Sequence, residues 1–297
     1  MAEPLPDWQL RFLEQHRLPE SYLSDAQKWF NPVADLVAEH HSDVGRPWLV
    51  ALNGSQGAGK TTFCDYLRAL LEAGGLSCVA LSIDDFYLPQ VERQALAEQV
   101  HPLLATRGVP GTHDMVLMSE ILDQLLAGEA VAIPRFDKSV DDRRPTADWD
   151  RVDAGVDVIL LEGWCLGATA EPAEALREPL NELERIEDPD GHWRQYANQV
   201  LGARFPPIYD RVDEWIMLRA PSFECVYRWR LEQEHKLAAT SSGSGIMSDA
   251  EVLRFIRFFQ RLTERCLEQL PRQVNHLLTL DEQRAVVSYL AAPGRRL

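Results

Sequence analysis

Residues 54–61 read Gly54-Ser55-Gln56-Gly57-Ala58-Gly59-Lys60-Thr61, a run that fits the phosphate-binding pattern G-x-x-x-x-G-K-[ST] at every position. It follows the apolar run 48–52 and opens a segment with helical periodicity, which is the context that the pattern requires. The glycines let backbone N–H groups converge on one phosphate, and the following helix adds its positive dipole end. The alternative is a glycine-rich turn that matches by chance. The flanking segments favour a nucleoside triphosphate site.

The side chains of this loop have separate predicted roles. Lys60 would reach the β- and γ-phosphates, and the Thr61 hydroxyl would hold Mg²⁺. The residues predicted to contact the nucleotide are Gly54, Ser55, Gln56, Gly57, Ala58, Gly59, Lys60, Thr61 and Thr62.

The composition excludes some partners. The chain has 297 residues, of which 45% are hydrophobic, and a formal net charge of −16. Nucleic acids and anionic membranes bind clustered Lys and Arg, so we expect neither as a partner. The five cysteines (64, 78, 165, 225 and 266) form no C-x-x-C pair, and residues 1–7 lack the layout of a signal peptide. No apolar stretch reaches transmembrane length, so we expect a cytoplasmic protein with reduced cysteines.

The order of elements predicts an α/β fold. Apolar runs that read as strands alternate with helical patterns, which implies crossover units and a mostly parallel, five-stranded sheet. The predicted strands are 48–52, 78–83, 156–161, 215–218 and 276–280. Ligands of such sheets bind beyond the carboxyl ends of the strands. The phosphate loop, Asp84-Asp85 and Glu162 all follow strand ends, so we expect them to meet at one edge.

The chain is predicted to have three parts. Residues 1–45 read as a helical N-terminal extension, and residues 46–297 as the main domain. Within that domain the region of about 222–250 reads as a helical lid, because helices 222–238 and 249–270 flank a Ser- and Gly-rich segment, 239–248, predicted to be a mobile loop.

Three acidic residues are candidates for the chemistry. Asp84 and Asp85 end a strand, and one of the two could accept a proton from an acceptor hydroxyl, or the pair could cap a turn. Adjacent side chains leaving a strand point opposite ways, so both cannot serve one centre equally. Glu162 ends the strand 156–161, where phosphate-loop enzymes place the acidic residue that organises Mg²⁺.

The densest positive segment, 135–144, reads either as a solvated loop or as an anion cradle for an acceptor. The lid arginines Arg228 and Arg230 either close over the γ-phosphate or lie on a solvated helix face. The candidate acceptor contacts are Asp85, Tyr87, His113, Arg135, Lys138 and Arg144.

Five motifs in order resemble the D-glycerate 3-kinase-like proteins, within the wider group of phosphoribulokinase, uridine kinase and pantothenate kinase. They are GSQGAGKTT (54–62), SIDDFYLP (82–89), RGVPGTHD (107–114), PRFDKS (134–139) and VILLEGW (158–164). The resemblance runs from about residue 45 to the carboxyl end. It implies a three-layer phosphate-loop (P-loop) NTPase fold, with Asp84 as the base, Glu162 at the metal, and Arg228 or Arg230 as the lid arginine.

The predicted function is therefore transfer of the γ-phosphate of ATP, with Mg²⁺, to a hydroxyl of a small metabolite. An anionic hydroxy acid resembling D-glycerate is favoured, because the basic segment 135–144 suits an anion. One alternative is a kinase for a nucleoside or for a pantothenate-type acceptor. Another is a regulator that binds ATP and transfers nothing, for which Lys60 would matter and Asp84 would not.

Overall fold

The computed structural model describes residues 5–240 and 247–292. The helices are α1 Asp7–His16, α2 Ser21–Trp29, α3 Asn31–Val44, α4 Lys60–Ala73, α5 Gln90–Gln99, α6 Met115–Leu126, α7 Glu182–Glu187, α8 His192–Arg204, α9 Pro206–Tyr209, α10 Phe223–Thr240 and α11 Asp249–Gln269. The strands are β1 Trp48–Gly54, β2 Cys78–Ser82, β3 Val131–Ile133, β4 Phe136–Asp137, β5 Asp142–Arg143, β6 Asp150–Val152, β7 Val158–Gly163, β8 Glu214–Arg219, β9 His276–Leu280 and β10 Val286–Ala291.

The central sheet has the strand order β10-β9-β8-β1-β7-β2. The pairs β2–β7, β7–β1, β1–β8 and β8–β9 are parallel, and β9–β10 is antiparallel. Helices cover both sides of this sheet, which is the three-layer α/β arrangement that the sequence predicts. Strands β1 and β7 are almost wholly buried because they lie in the interior of the sheet.

The predicted strand count needs one correction. All five expected strands are present, but the sheet has six, because β10 adds an antiparallel edge strand. Its sequence, Val-Val-Ser-Tyr-Leu-Ala, has high strand propensity and follows a short turn after β9. Two further short ladders, β3–β6 and β4–β5, lie outside the main sheet. The β4–β5 hairpin forms within the basic segment.

The N-terminal helices pack on the main domain through aromatic side chains. The ring centroid of Phe12 lies 5.3 Å from that of Tyr66 in α4, and Phe30 lies 4.6 Å from Phe63. The Tyr66 hydroxyl donates a hydrogen bond to Asn31 at 2.8 Å. Each such ring, when buried, stabilises the fold by about 1.5 to 3 kcal/mol. The helices of segment 7–44 therefore share one hydrophobic core with the sheet.

The predicted lid corresponds to α10 and α11. Residues 241–246, the centre of the segment predicted to be a mobile loop, lie outside the described residues. Helix α11 begins with a capping box in which Ser248 and Glu251 exchange hydrogen bonds, and this stabilises its amino end. No helix in the described part of the chain is both long and apolar enough to cross a bilayer.

Candidate active site

The phosphate loop connects β1 to α4 and requires its glycines. Gly57 and Gly59 have φ angles of +78° and +88°, a region that side chains with a Cβ rarely adopt. A Cβ at Gly57 would also lie 2.9 Å from Cβ of Trp229 in α10. The loop is therefore a close-packed concave turn, whose backbone continues directly into the first turn of α4.

Unpaired polar groups in this loop fit a phosphate ligand. Lys60 curls back over the loop, and its Nζ donates to the Ser55 carbonyl at 3.3 Å. The Ser55 hydroxyl and the side-chain carbonyl of Gln56 are buried and have no hydrogen-bond partner among the described residues. Thr61 and Thr62 lie in the first turn of α4, where backbone N–H groups have no intrahelical partner. Such a cradle suits the oxygens of a polyphosphate.

Thr61 and Glu162 meet at the carboxyl end of the sheet. The Thr61 hydroxyl donates to Glu162 Oε1 at 3.3 Å, and Lys60 Nζ lies 4.0 Å from Oε2. Burial raises the pKa of Glu162, and Lys60 offsets that effect only in part. A buried carboxylate in this state gains from a nearby cation. The two oxygen groups therefore fit Mg²⁺, which takes one or two protein ligands beside phosphates and waters.

Asp84 lies in the 3₁₀ turn Ile83–Phe86, directly after β2. Lys138 lies 2.6 Å from its Oδ2, and the Tyr87 hydroxyl donates to its Oδ1 at 2.7 Å. Burial by itself would raise the pKa of Asp84, but Lys138 and the Tyr87 hydroxyl together hold that pKa below its ordinary value. Asp84 is therefore an ionised, oriented carboxylate on the wall of the cleft.

Asp85 points to a different partner, as expected for adjacent side chains. Its Oδ2 lies 2.6 Å from Arg135 Nη1, and its Oδ1 accepts from the Phe136 backbone N–H at 3.3 Å. Burial raises its pKa, and Arg135 opposes that shift. Asp84 and Asp85 thus hold the two ends of one hairpin segment, through Lys138 and Arg135 respectively.

A single cleft of about 530 Å³ joins these groups. The predicted site residues that line it are Gln56, Gly57, Lys60, Thr61, Asp84, Asp85, Tyr87, Lys138, Glu162 and Arg230. Arg230 projects from α10 and pairs with Glu234 at 2.7 Å. The phosphate loop, the acidic strand ends and one lid arginine therefore share a concave surface.

Comparison with individual known proteins identifies the family of this chain, although no family model matches it. It is 31% identical over 254 residues to a Schizosaccharomyces pombe protein named uncharacterized kinase mug58, covering 80% of this chain and 84% of that one. It is 32% identical over 238 residues to the chloroplastic D-glycerate 3-kinase of Arabidopsis thaliana, covering 75% of this chain but only 49% of the plant protein.

The chain belongs to the D-glycerate 3-kinase-like family. A solved D-glycerate 3-kinase from Cryptococcus neoformans has the same fold, with a TM-score of 0.74 and 25% identity, over 89% of this chain and 99% of that one. The protein is accordingly a P-loop kinase for small molecules, as the sequence predicts.

Four of the predicted catalytic and acceptor residues of this kinase do not line the cleft, and three of them are arginines. Arg228, on the same helix as Arg230, is exposed and pairs with Glu282 at 3.1 Å. Arg144 lies in a separate surface groove, 3.9 Å from Asp137. Arg135 lies behind the cleft wall, bound to two aspartates.

His113 lies behind the wall as well. Its ring is buried 4.8 Å from that of Tyr87, and neither ring nitrogen has a hydrogen-bond partner among the described residues. Burial lowers its pKa to about 4, so the ring is neutral at physiological pH. His113 supports Tyr87 from behind and does not face the cleft.

Three cations of the basic segment each pair with an aspartate. Arg135 pairs with Asp85, Lys138 with Asp84, and Arg143 with Asp114 at 3.2 Å. These pairs show that the segment is not simply solvated, and its predicted role as an anion cradle stays a prediction. The segment is a scaffold whose cations orient acidic side chains.

Sequence reasoning missed several residues that line the cleft. These are Ser82, Arg107, Phe136, Trp164, Gln233, Phe255 and Phe259. Arg107 opens the motif RGVPGTHD, in which only His113 is a predicted acceptor contact. A signal was present, since an arginine beside a glycine-rich turn and a predicted substrate loop is a candidate anion ligand. The aromatic residues resemble core residues in sequence, so only the fold distinguishes them.

Proposed function

We propose that this kinase transfers the γ-phosphate of Mg²⁺-ATP to a hydroxyl of D-glycerate. The observation that carries the proposal is the position of Asp84. It is an ionised carboxylate in the same cleft as Lys60 and Glu162, and it is held by the cation Lys138. The names of the plant and fungal relatives support D-glycerate as the acceptor.

In this proposal each residue of the cleft has a separate role. The loop amides and Lys60 bind the phosphates, and Thr61 with Glu162 would hold Mg²⁺, which would supply neutralisation of the phosphate charge. Asp84 accepts the proton of the attacking hydroxyl, while Tyr87 and Lys138 fix the direction of its carboxylate. Arg230 stabilises the charge on the transferred group. Phosphoryl transfer needs mainly alignment and charge stabilisation, and this cleft offers both.

The compartment is also part of the proposal. All five cysteines are free thiols, and four of them are buried. A reducing compartment such as the cytoplasm keeps thiols in that state. We therefore propose a cytoplasmic kinase.

A nucleoside acceptor is the second candidate, and the aromatic lining favours it. Phe136, Trp164, Phe255 and Phe259 supply ring faces to the cleft, and Gln233 supplies an amide. Such groups are what a base would stack on and bond to. Arg107, a cation of the cleft lining outside the basic segment, favours an acid instead, so the two candidates are separable by experiment.

The test measures ATP consumption by the purified protein with Mg²⁺, with D-glycerate, glycerol or uridine as acceptor. Stimulation by D-glycerate, with a product of the mass of phosphoglycerate, is the expected result, and NMR of the product identifies the phosphorylated hydroxyl. Stimulation by uridine alone would replace the acid by a nucleoside. ATP binding without stimulation by any acceptor would favour the non-catalytic regulator.

The variant Asp84→Asn tests the base. We expect kcat to fall by about 10³-fold, because a positioned base contributes roughly 10² to 10⁴ in rate. ATP affinity should be retained, since Asp84 is not part of the phosphate loop. The matched control is Asp123→Asn, an aspartate on α6 that pairs with Arg211 outside the cleft. Unchanged turnover by Asp84→Asn would remove Asp84 as the base.

A further inference from the structure

Two arginines share one aspartate at the edge of the cleft. Arg93, on α5, bonds the Asp141 carbonyl at 2.7 Å, and its guanidinium lies 2.9 Å from the Asp141 carboxylate. Arg107 binds the other oxygen of the same carboxylate through Nη1. Asp141 has a φ of +56°, an uncommon conformation for a residue other than glycine. The hairpin thus places this carboxylate between two guanidinium groups.

The two arginines differ in their exposure and in how many of their N–H groups are hydrogen-bonded. Arg93 is 1% exposed, and its remaining donors bond the carbonyls of Leu88 and Ala105. Arg107 is 27% exposed, and its bond to Asp141 involves one of its terminal nitrogens. Among the described residues, Asp141 is the one carboxylate within ion-pair distance of either guanidinium. The cluster therefore carries a net positive charge, and Arg107 presents it to the cleft.

Arg107 is also held in a fixed orientation. Its guanidinium lies 5.5 Å from the ring centroid of Phe136, which lines the same cleft. A guanidinium is planar, and its contacts with the ring and with Asp141 fix the direction in which its other N–H groups point. That is the geometry that binds a carboxylate through two parallel hydrogen bonds.

The other cations of the cleft already have partners or roles. Lys60 belongs to the phosphate loop, Lys138 is bound to Asp84, and Arg230 extends from the lid helix. Arg107 lies on the acceptor side, because it packs on Phe136, whose ring centroid lies 5.1 Å from that of Tyr87, and the Tyr87 hydroxyl bonds Asp84. An acceptor held by Arg107 would therefore lie next to the proposed base.

We propose that Arg107 binds the carboxylate of the acceptor and thereby selects a hydroxy acid over a neutral polyol. This inference rests on the proposed function, since it names the group that recognises the acid. Binding at Arg107 leaves the hydroxyl end of the acceptor to face Asp84. The neutral analogue glycerol has hydroxyls but no carboxylate, so Arg107 gives it no advantage.

The test compares the wild-type kinase with Arg107→Met and Arg107→Lys, using D-glycerate and glycerol as acceptors. We expect Arg107→Met to lower kcat/KM for D-glycerate by about 100-fold, mainly through KM, because the charge partner of the carboxylate is removed. The rate with glycerol and the KM for ATP should stay within about threefold. Arg107→Lys should restore part of the affinity, because it keeps the charge but not the planar fork.

A matched control is Arg254→Met. Arg254 also pairs with one carboxylate, that of Glu187, and also packs on a ring, with 5.4 Å to the centroid of Phe258, but it lies outside the cleft. It should leave both acceptors unaffected. If the wild type phosphorylates D-glycerate and Arg107→Met does so with unchanged KM, the role of Arg107 is overturned while the proposed function stands. If the wild type does not phosphorylate D-glycerate, the proposed function fails and this inference fails with it.

Discussion

Two buried glutamates lie on the two strands that flank β1, Glu162 level with Leu52 and Glu214 level with Val50, and they differ in how they are bonded. Glu162 is the penultimate residue of β7 and lines the cleft, with the Thr61 hydroxyl at 3.3 Å and the Lys60 ammonium at 4.0 Å. Glu214 is the first residue of β8 and does not line the cleft. It accepts from Trp48 Nε1 at 2.8 Å and is hydrogen-bonded to His40 at 3.1 Å and to His276.

The pKa values of the two carboxyl groups shift in opposite directions. Burial raises the pKa of Glu162, and Lys60 compensates for that effect only in part. Burial would also raise the pKa of Glu214, but His276 and Trp48, with His40, hold that pKa below its ordinary value. A carboxylate saturated with protein donors serves the fold, whereas one left short of donors is suited to a ligand cation. The predictions below test this difference.

The largest effect is expected from Glu162→Gln. If Glu162 organises Mg²⁺, kcat should fall by about 10³-fold or more, because charge neutralisation of the phosphates depends on the metal. The stability at pH 7 should be unchanged or higher, since a buried charge with a raised pKa is removed. Steady-state kinetics over a Mg²⁺ series and urea unfolding measure the two quantities. Activity within tenfold of the wild type would separate Glu162 from the metal.

Glu214→Gln should show the reverse pattern. Removing one member of a buried, hydrogen-bonded charge network costs about 3 to 5 kcal/mol, so the free energy of unfolding should fall by that order. The kcat of the folded fraction should match the wild type, because Glu214 does not line the cleft and its hydrogen-bond partners lie outside it. Urea unfolding followed by tryptophan fluorescence gives the first quantity. A selective loss of kcat at full stability would contradict the comparison.

The pH dependence of Glu214 has a definite sign. Its folded-state pKa is below the ordinary value of 4.5, so its stabilisation is present above about pH 4.5 and is lost as the pH falls through the folded pKa. In Glu214→Gln this loss should be absent. Unfolding free energies of wild type and variant should therefore converge as the pH falls below about 4.5.

The protonation of His113 should change the free energy of unfolding in a different pH range. Burial lowers its pKa from 6.5 to about 4, so its contribution is present above pH 6.5 and is lost as the pH falls toward 4. A shift of this size corresponds to roughly 3 kcal/mol. In His113→Gln the slope of unfolding free energy against pH between 4 and 6.5 should become smaller, whatever the variant's absolute stability. An unchanged slope would mean that His113 does not titrate on unfolding in this range.

Short sequence motifs and runs of apolar residues predicted much of the fold and part of the cleft. The phosphate loop and the acidic strand ends follow strands of clear apolar composition, and parallel strands bring their carboxyl ends together. The partners of these residues could not be predicted, because they depend on long-range packing. Nothing in the segment around Lys138 indicates that it pairs with Asp84, more than fifty residues away. The division of the chain at residue 45 stays a prediction.

The two arginines of α10 also show that the sequence alone does not determine which side chains reach the cleft. Arg228 and Arg230 are two residues apart, so they point roughly 200° apart around the helix axis. Sequence could not choose between them, because apolar residues do not define one clear face of α10. In the folded chain Arg230 lines the cleft, and Arg228 pairs with Glu282 on the solvent side.

The smallest effects should therefore come from this pair. Arg230→Ala is expected to lower kcat by about 10- to 100-fold if it stabilises the transferred charge, whereas Arg228→Ala should change kcat by less than about twofold, as for an exposed ion pair. Both variants remove one guanidinium from the same helix, so each controls for the other. Single-turnover kinetics with ATP and the acceptor separates the chemical step from product release. Equal losses would mean that the helix as a whole is perturbed, and a larger loss for Arg228→Ala would place the wrong face of α10 at the phosphates.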